Sequence, residues 1–229
     1  MARHSLSYRH TLHSALKTLL EDNGREDLAA RIPKLASNQP REVTVPEAEF
    51  ERVLRVAPPA LELALLLAHE AGLRAMTACK LNRANVDFDA RRIHGETKGG
   101  SKYDVPMTQR LHDRLLWYCA AAQDADEPLT SVFRPHRKPF TSPALHTAMT
   151  DARKRAGVTS HWGLHDLRRT AARNLYEHTK DLRKTQALLG HRTLWTTVWY
   201  LGNAATTLTA EDLEASTTNT NPKTERKHA

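Results

Sequence analysis

The chain has 229 residues, two cysteines, 40% hydrophobic residues and a formal net charge of +8. That length suits one ordinary domain with an appendage, or two small domains. Cys79 and Cys119 exclude a disulfide framework or a four-thiolate zinc site and fit a reducing cytoplasm; no apolar run reaches the roughly 18 residues of a membrane span, the N-terminal MARHSLSYRHTLH lacks the apolar segment of a secretory signal, and a basic surface selects polyanions, nucleic acid first.

Taken in chain order, residues 5–22 carry Leu12, Leu16, Leu19 and Leu20 at helical spacing. Residues 32–45, with Pro33, Ser37, Asn38 and Pro40, read as a linker. Thr44 and Pro46 open a second helix, with Glu47 and Glu49 in its first turn, and Pro58-Pro59 interrupt it. ALELALLLAHEAG, from Ala60 to Gly72, is apolar on nearly all sides and reads as the central buried helix. RRIHGETKGGSKYDVPM, from Arg91 to Met107, turns about Gly99-Gly100 and is the only clear strand signal, a hairpin. Helical spacing returns through Leu111, Leu115 and Tyr118; a loop with Pro128 and Pro135 follows; and Ser142-Pro143 starts a helix that Gly157 ends. Three more helices are expected at about 165–178, 181–189 and 194–203. The tail from Ala204, rich in Thr, Asn and charge, reads as disordered apart from a possible turn at TAEDLEA. The fold class this implies is mainly α, with one small antiparallel β element.

Four clusters carry potential chemistry. On the last helix, Leu194, Trp195, Val198, Trp199 and Leu201 form an apolar stripe, whereas Thr193, Thr196, Thr197, Tyr200 and Asn203 form a polar one. Tyr200 is therefore expected on a hydroxyl-rich face, as a reactive phenol or an ordinary surface tyrosine. In GLHDLRRTAARNLYEH, His165 shares a helical face with Arg168 or Arg169, while Leu167, Ala171 and Leu175 form the core side. Arginine suits bidentate phosphate contact and histidine can move a proton; a solvated basic helix is the competing reading. Arg74 follows directly on the most hydrophobic helix and needs a partner anion, internal or external. Lys98 and Lys102 lie on the hairpin turn, either to reach into a groove or to protect a sheet edge. His161 and His165 are four apart, but the intervening residues include Gly163 and no Glu, which argues against zinc.

In this order, GLR at 72–74, TKGGSKYDVPM at 97–107, HDLRRT at 165–170, LLGH at 188–191 and TTVWY at 196–200 resemble the catalytic domain of the tyrosine recombinases, or phage integrases. The resemblance covers roughly Thr44 to Asn203. It implies a helical catalytic domain with a small antiparallel sheet, and a site-specific DNA recombinase that cleaves and rejoins strands through a 3′-phosphotyrosyl link. The implied catalytic residues are Arg74 and Arg168 on the phosphate, Lys98 on the leaving oxygen, His165 as proton acceptor or relay, His191 as hydrogen-bond donor and Tyr200 as nucleophile. No metal or other cofactor is implied. Arg169 takes an adjacent place that implies a backbone-phosphate or structural contact. Lys102 is the alternative hairpin lysine. Arg91 and Arg92, with Arg134, Arg137 and Lys138 in FRPHRKPF, are candidates for further DNA contacts. Residues 1–42 correspond to a remnant of a core-binding domain, 43–203 to the catalytic domain and 204–229 to a flexible tail; with so little of the clamp, weak, salt-sensitive DNA binding is expected. The partners implied are double-stranded DNA and further copies of the chain, a tetramer on DNA and a monomer without it, in the cytoplasm of a bacterial or phage-infected cell. LTAEDLEA, Leu208 to Ala215, is a candidate for docking on a neighbouring subunit. One departure stands out: the family's acidic residue three positions after the first arginine is Thr77 here. An inactive DNA-binding remnant and a relaxing topoisomerase are the competing functions.

Overall fold

The computed structural model describes residues 6–33, 35, 43–97, 100 and 102–202. It divides into two units, Met1–Arg41 and Glu42–Ala229. In the first unit α1 (Leu6–Asp22) and α2 (Glu26–Ala29) are joined through Gly24, whose φ of +67° suits glycine. The leucine periodicity predicted this helix correctly. Leu12, Leu16 and Leu19 nevertheless remain exposed, at 56%, 45% and 59%.

In the second unit α3 (Glu47–Val56) begins after an extended Pro46 and buries Phe50 and Val53. The central helix α4 (Pro59–Glu70) is buried on nearly every side, as its composition requires: Leu61, Leu63, Leu65 and Leu67 are fully inaccessible. Each such leucine contributes roughly 1.5–3 kcal/mol. A short helix, α5 (Ala75–Lys80), leads to a three-stranded antiparallel sheet, β1 (Val86–Asp87), β2 (Arg92–Glu96) and β3 (Lys102–Pro106). In the hairpin, Ile93 faces Val105 and Glu96 faces Lys102. The strand β1 was not legible in the sequence, because two residues show no alternation. Next come α6 (Gln109–Ala121), capped by Thr108 and burying Leu111, Leu115 and Tyr118, and α7 (Ser142–Arg155), capped by Thr141.

The three final helices are α8 (Leu164–Thr179), α9 (Leu182–Leu189) and α10 (Leu194–Leu201). The helix α8 packs against α4, α9 and α10. Its buried face includes Leu167 and Ala171 as expected, but Leu175 is only partly buried and Arg168 takes a core position.

The stripe assignment for α10 holds for Leu201, Thr193 and Thr196 but fails for the tryptophans, Thr197 and Tyr200. Trp195 and Trp199 are 75% and 49% exposed, whereas Thr197, Tyr200 and Leu201 are buried. They face a small second core made by Ala172, Leu189, Tyr200 and Leu201. Side-chain hydropathy mispredicted the inward face because this surface pairs a small apolar cluster with polar partners: Thr197 meets His191 and Tyr200 meets His165. The hairpin turn at Lys98 and Gly99, the last expected residue of the final helix, Asn203, and the LTAEDLEA segment lie outside the described residues.

Candidate active site

Gly72 ends the approach from α4 with φ +60°, and a Cβ there would meet the Leu188 side chain at 3.1 Å. Glycine therefore permits both the turn and the close approach of α9. The Gly72 carbonyl accepts a hydrogen bond from the Arg168 guanidinium, which also donates to the Leu189 carbonyl at 2.6 Å. Arg168 is 3% exposed. Burial and the nearby Arg74 lower its pKa to about 10, against the opposing pull of Tyr200, so it remains charged at neutral pH. Two carbonyls, not a carboxylate, hold this buried cation; it retains a demand for an anion.

Arg74 sits at the N-terminal boundary of α5 and is exposed. Among the described residues no hydrogen bond or ion pair holds its guanidinium, so the anion expected from its position is not an internal carboxylate there. Arg74, Thr77, Thr97, Lys102 and Arg168 line one small pocket with Leu188–Gly190. Thr77, standing where an acidic brace was expected, puts no carboxylate in it. Lys98 lies outside the described residues. The hairpin ends that flank it, Thr97 and Lys102, reach this pocket.

His191 follows Gly190, which closes α9 in the left-handed conformation at φ +56°. Its Nδ1 lies 3.0 Å from Thr197 Oγ1. Burial, then Arg168 and Arg74, depress its pKa to about 4. His165, in the first turn of α8, has its pKa lowered by partial burial and by Arg169 and Arg168, against Asp166. Both imidazoles are therefore neutral at pH 7.

Tyr200 lies between them. Its ring centroid is 5.4 Å from that of His165 and 5.4 Å from that of His191, both nearly perpendicular. Its hydroxyl donates to the His165 carbonyl at 3.4 Å, and the Arg169 guanidinium lies 4.9 Å from the ring centroid, over the face. Burial raises the phenol's pKa, while Arg168 and Arg169 pull it down.

Five of the six residues expected to be catalytic are thus gathered by α8, the α4–α5 turn, the α9–α10 turn and α10. The further DNA-contact candidates are not. Arg137 donates to both Glu127 oxygens at 2.5 Å and to the carbonyls of Val132 and Ala121 at 3.1 and 3.2 Å, which makes it an internal staple. Arg92 pairs with Asp104 at 2.6 Å, Arg91 donates to Gln109, and Arg134 donates to the Lys138 carbonyl and covers Phe140 at 4.0 Å. The Lys138 side chain is exposed.

Lys102 and Gly190 also border a second cleft of about 570 Å³, lined by Arg183, Gln186, His191 and Arg192. Sequence reasoning missed Arg183 and Arg192. Arg192 adjoins the LLGH motif, a usable signal; Arg183 is an unremarkable helix-surface residue until α9 is docked. His161 and His165 are not part of any cluster of three or more metal-binding side chains among the described residues.

Residues 44–206 match the family model described as phage integrase. The chain belongs to this family. Phage integrases are tyrosine recombinases: enzymes that cut and rejoin DNA strands at specific sites, through the phosphotyrosine link characteristic of the family. Tyrosine recombinase XerA of Thermococcus kodakarensis is 33% identical over 193 residues, 81% of this chain and 67% of that protein. The crystal structure of XerA recombinase shares the fold with a TM-score of 0.61 at 22% identity, over 97% of this chain and 79% of that one. A lambda integrase dimer bound to a COC′ core site does so at 0.58 and 19% identity, over 83% and 78% of the two chains.

Proposed function

We propose that Tyr200 is the nucleophile of a strand-transfer site built on Arg74, Lys98, His165, Arg168 and His191. The observation that carries this reading is the burial of a phenol between two neutral imidazoles and against a buried guanidinium, with Arg74 lining the same pocket as that guanidinium.

Tyr200 Oη attacks the phosphorus of a phosphodiester. The phenol's proton passes to His165, which is neutral and can accept it. The bond from phosphorus to the 5′-oxygen breaks, and Lys98 protonates that oxygen. Charge gathering on the non-bridging oxygens is met by the fixed forks of Arg74 and Arg168 and by a hydrogen bond from His191. His191 donates from Nε2 in the tautomer whose Nδ1 accepts from the Thr197 hydroxyl, 3.0 Å away. A 5′-hydroxyl of another strand then reverses the step, displacing the tyrosine and conserving the bond energy.

The partner is double-stranded DNA; the lambda integrase has been solved bound to DNA. In this reading residues 43–203 are the catalytic domain, residues 1–42 add duplex contacts, four copies assemble on DNA, and the tail from residue 204 links them. Lys102, Arg183 and Arg192 extend the phosphate track along the second cleft.

The test is capture from a pool of nicked duplexes randomised around the nick, so that the released 5′-end diffuses away and the covalent adduct accumulates. The expected result is a protein–DNA adduct with wild-type chain and none with Tyr200→Phe. Binding without adduct under these conditions would favour an inactive DNA-binding remnant, and supercoil relaxation without site preference would favour a topoisomerase.

A further inference from the structure

We propose that Arg169 is a positioning residue for the nucleophile: with His165 it clamps the Tyr200 ring from the α8 side and holds the phenol between the two imidazoles. This rests on Tyr200 being the nucleophile, and it assigns Arg169 a role in place of the flanking-phosphate contact expected from its sequence position.

The geometry separates neighbouring arginines. Arg168 and Arg169 lie three and four residues after His165 on α8, so each neighbours it while the two point in different directions. Arg168 is held by the carbonyls of Gly72 and Leu189 and meets the Tyr200 hydroxyl, not the face of its ring. Arg169 instead lies over the phenol face at 4.9 Å, while His165 meets the ring edge-on at 5.4 Å. A cation is attracted to the negative face of an aromatic ring.

The contact has leverage because α10 is weakly anchored. It has eight residues, and its two tryptophans are exposed. It adds only Tyr200 and Leu201 to a buried cluster completed by Ala172 and Leu189. So short a helix does not hold its place without tertiary contacts.

The same cation acts on the proton. The charged and titratable groups facing Tyr200 are His165, Asp166, Arg168 and Arg169 from α8 and His191 from the α9–α10 turn. Burial favours the neutral phenol and Asp166 adds to this, whereas Arg168 and Arg169 favour the phenolate. Loss of Arg169 therefore displaces the ring and raises its pKa together. A cation over a ring is worth a roughly 2- to 30-fold effect, depending on how far it is desolvated.

The experiment compares wild type, Arg169→Lys, Arg169→Met and Arg169→Gln in two measurements. In the first, the free full-length chain carries tyrosine labelled with carbon-13 at Cζ, and the Tyr200 resonance, identified by its loss in Tyr200→Phe, is titrated by NMR. Arg169→Met and Arg169→Gln are expected to raise its pKa and Arg169→Lys to restore most of it. In the second, adduct formation on the captured nicked duplex is followed at saturating DNA from pH 6 to 9. Arg169→Met is expected to slow it 2- to 30-fold and to shift the profile to higher pH, with Arg169→Lys recovering both. An unchanged Tyr200 titration in a folded Arg169→Met or Arg169→Gln chain overturns the proposal. So does a variant that only binds DNA less tightly while its saturated rate holds, the signature of a flanking-phosphate contact. If the wild-type chain forms no adduct, the functional reading fails, and the titration still decides the clamp.

Discussion

His191 shows how one residue reads both its neighbours and its solvent. Its ring is partly buried beside two arginines, which makes protonation costly in the folded chain and depresses its pKa to about 4. In the unfolded chain it titrates near 6.5. As pH falls below that value, the unfolded state takes up the proton first, so the stability this group contributes is present above about 6.5 and is lost as pH falls toward 4. Urea unfolding of wild type between pH 7 and 4 should show this decline, and His191→Asn should show a shallower one. Equal slopes would mean that His191 is not held neutral by its site. The residue types needed here were legible in the sequence, because His165, Arg168, His191 and Tyr200 stand in short motifs at fixed spacing. The contact of Thr197 with His191 was not, since Thr197 looked like one more threonine on a polar face.

At the scale of elements, α10 decides most. Hydropathy assigned its tryptophans to the core, yet Trp195 is 75% exposed and the buried face is Thr197, Tyr200 and Leu201. Substitution at an exposed position typically moves stability by less than about 0.5 kcal/mol, whereas truncating a buried leucine costs about 2 kcal/mol or more. Trp195→Gln should therefore leave the urea midpoint almost unchanged and Leu201→Ala should lower it clearly; the opposite order would restore the hydropathy reading. By contrast α4 was readable without ambiguity. A helix apolar on all sides can only sit inside, and Leu61, Leu63, Leu65 and Leu67 do. The hairpin was equally legible, its Gly-Gly turn and flanking alternation predicting β2 and β3.

On the scale of the whole molecule, the net charge of +8 selects a polyanion but does not say which cations meet it. Arg137 is tied to Glu127 and two carbonyls, whereas Arg192 opens onto the cleft beside His191. Each phosphate contact adds nearly one unit to the slope of log binding against log salt. Arg192→Gln is expected to lower that slope by about one for a captured duplex, leaving the urea midpoint intact. Arg137→Gln is expected to lower the midpoint and leave the slope alone. If the two substitutions exchange these effects, the division between staple and phosphate contact is wrong.

Local order along this chain determined a great deal by itself: the helices, the hairpin, the buried α4 and the succession of motifs that mark a phage integrase are all written in neighbouring residues, where spacing and turn chemistry act. The tertiary structure alone decided which face of α10 turns inward, which arginines are occupied internally, and that, of two adjacent arginines, Arg168 reaches two backbone carbonyls while Arg169 lies over the phenol ring. The reason is physical. Periodicity reports that a helix has two faces, but burial and charge are paid for by partners distant in sequence, and those partners exist only once α4, α8, α9 and α10 have packed.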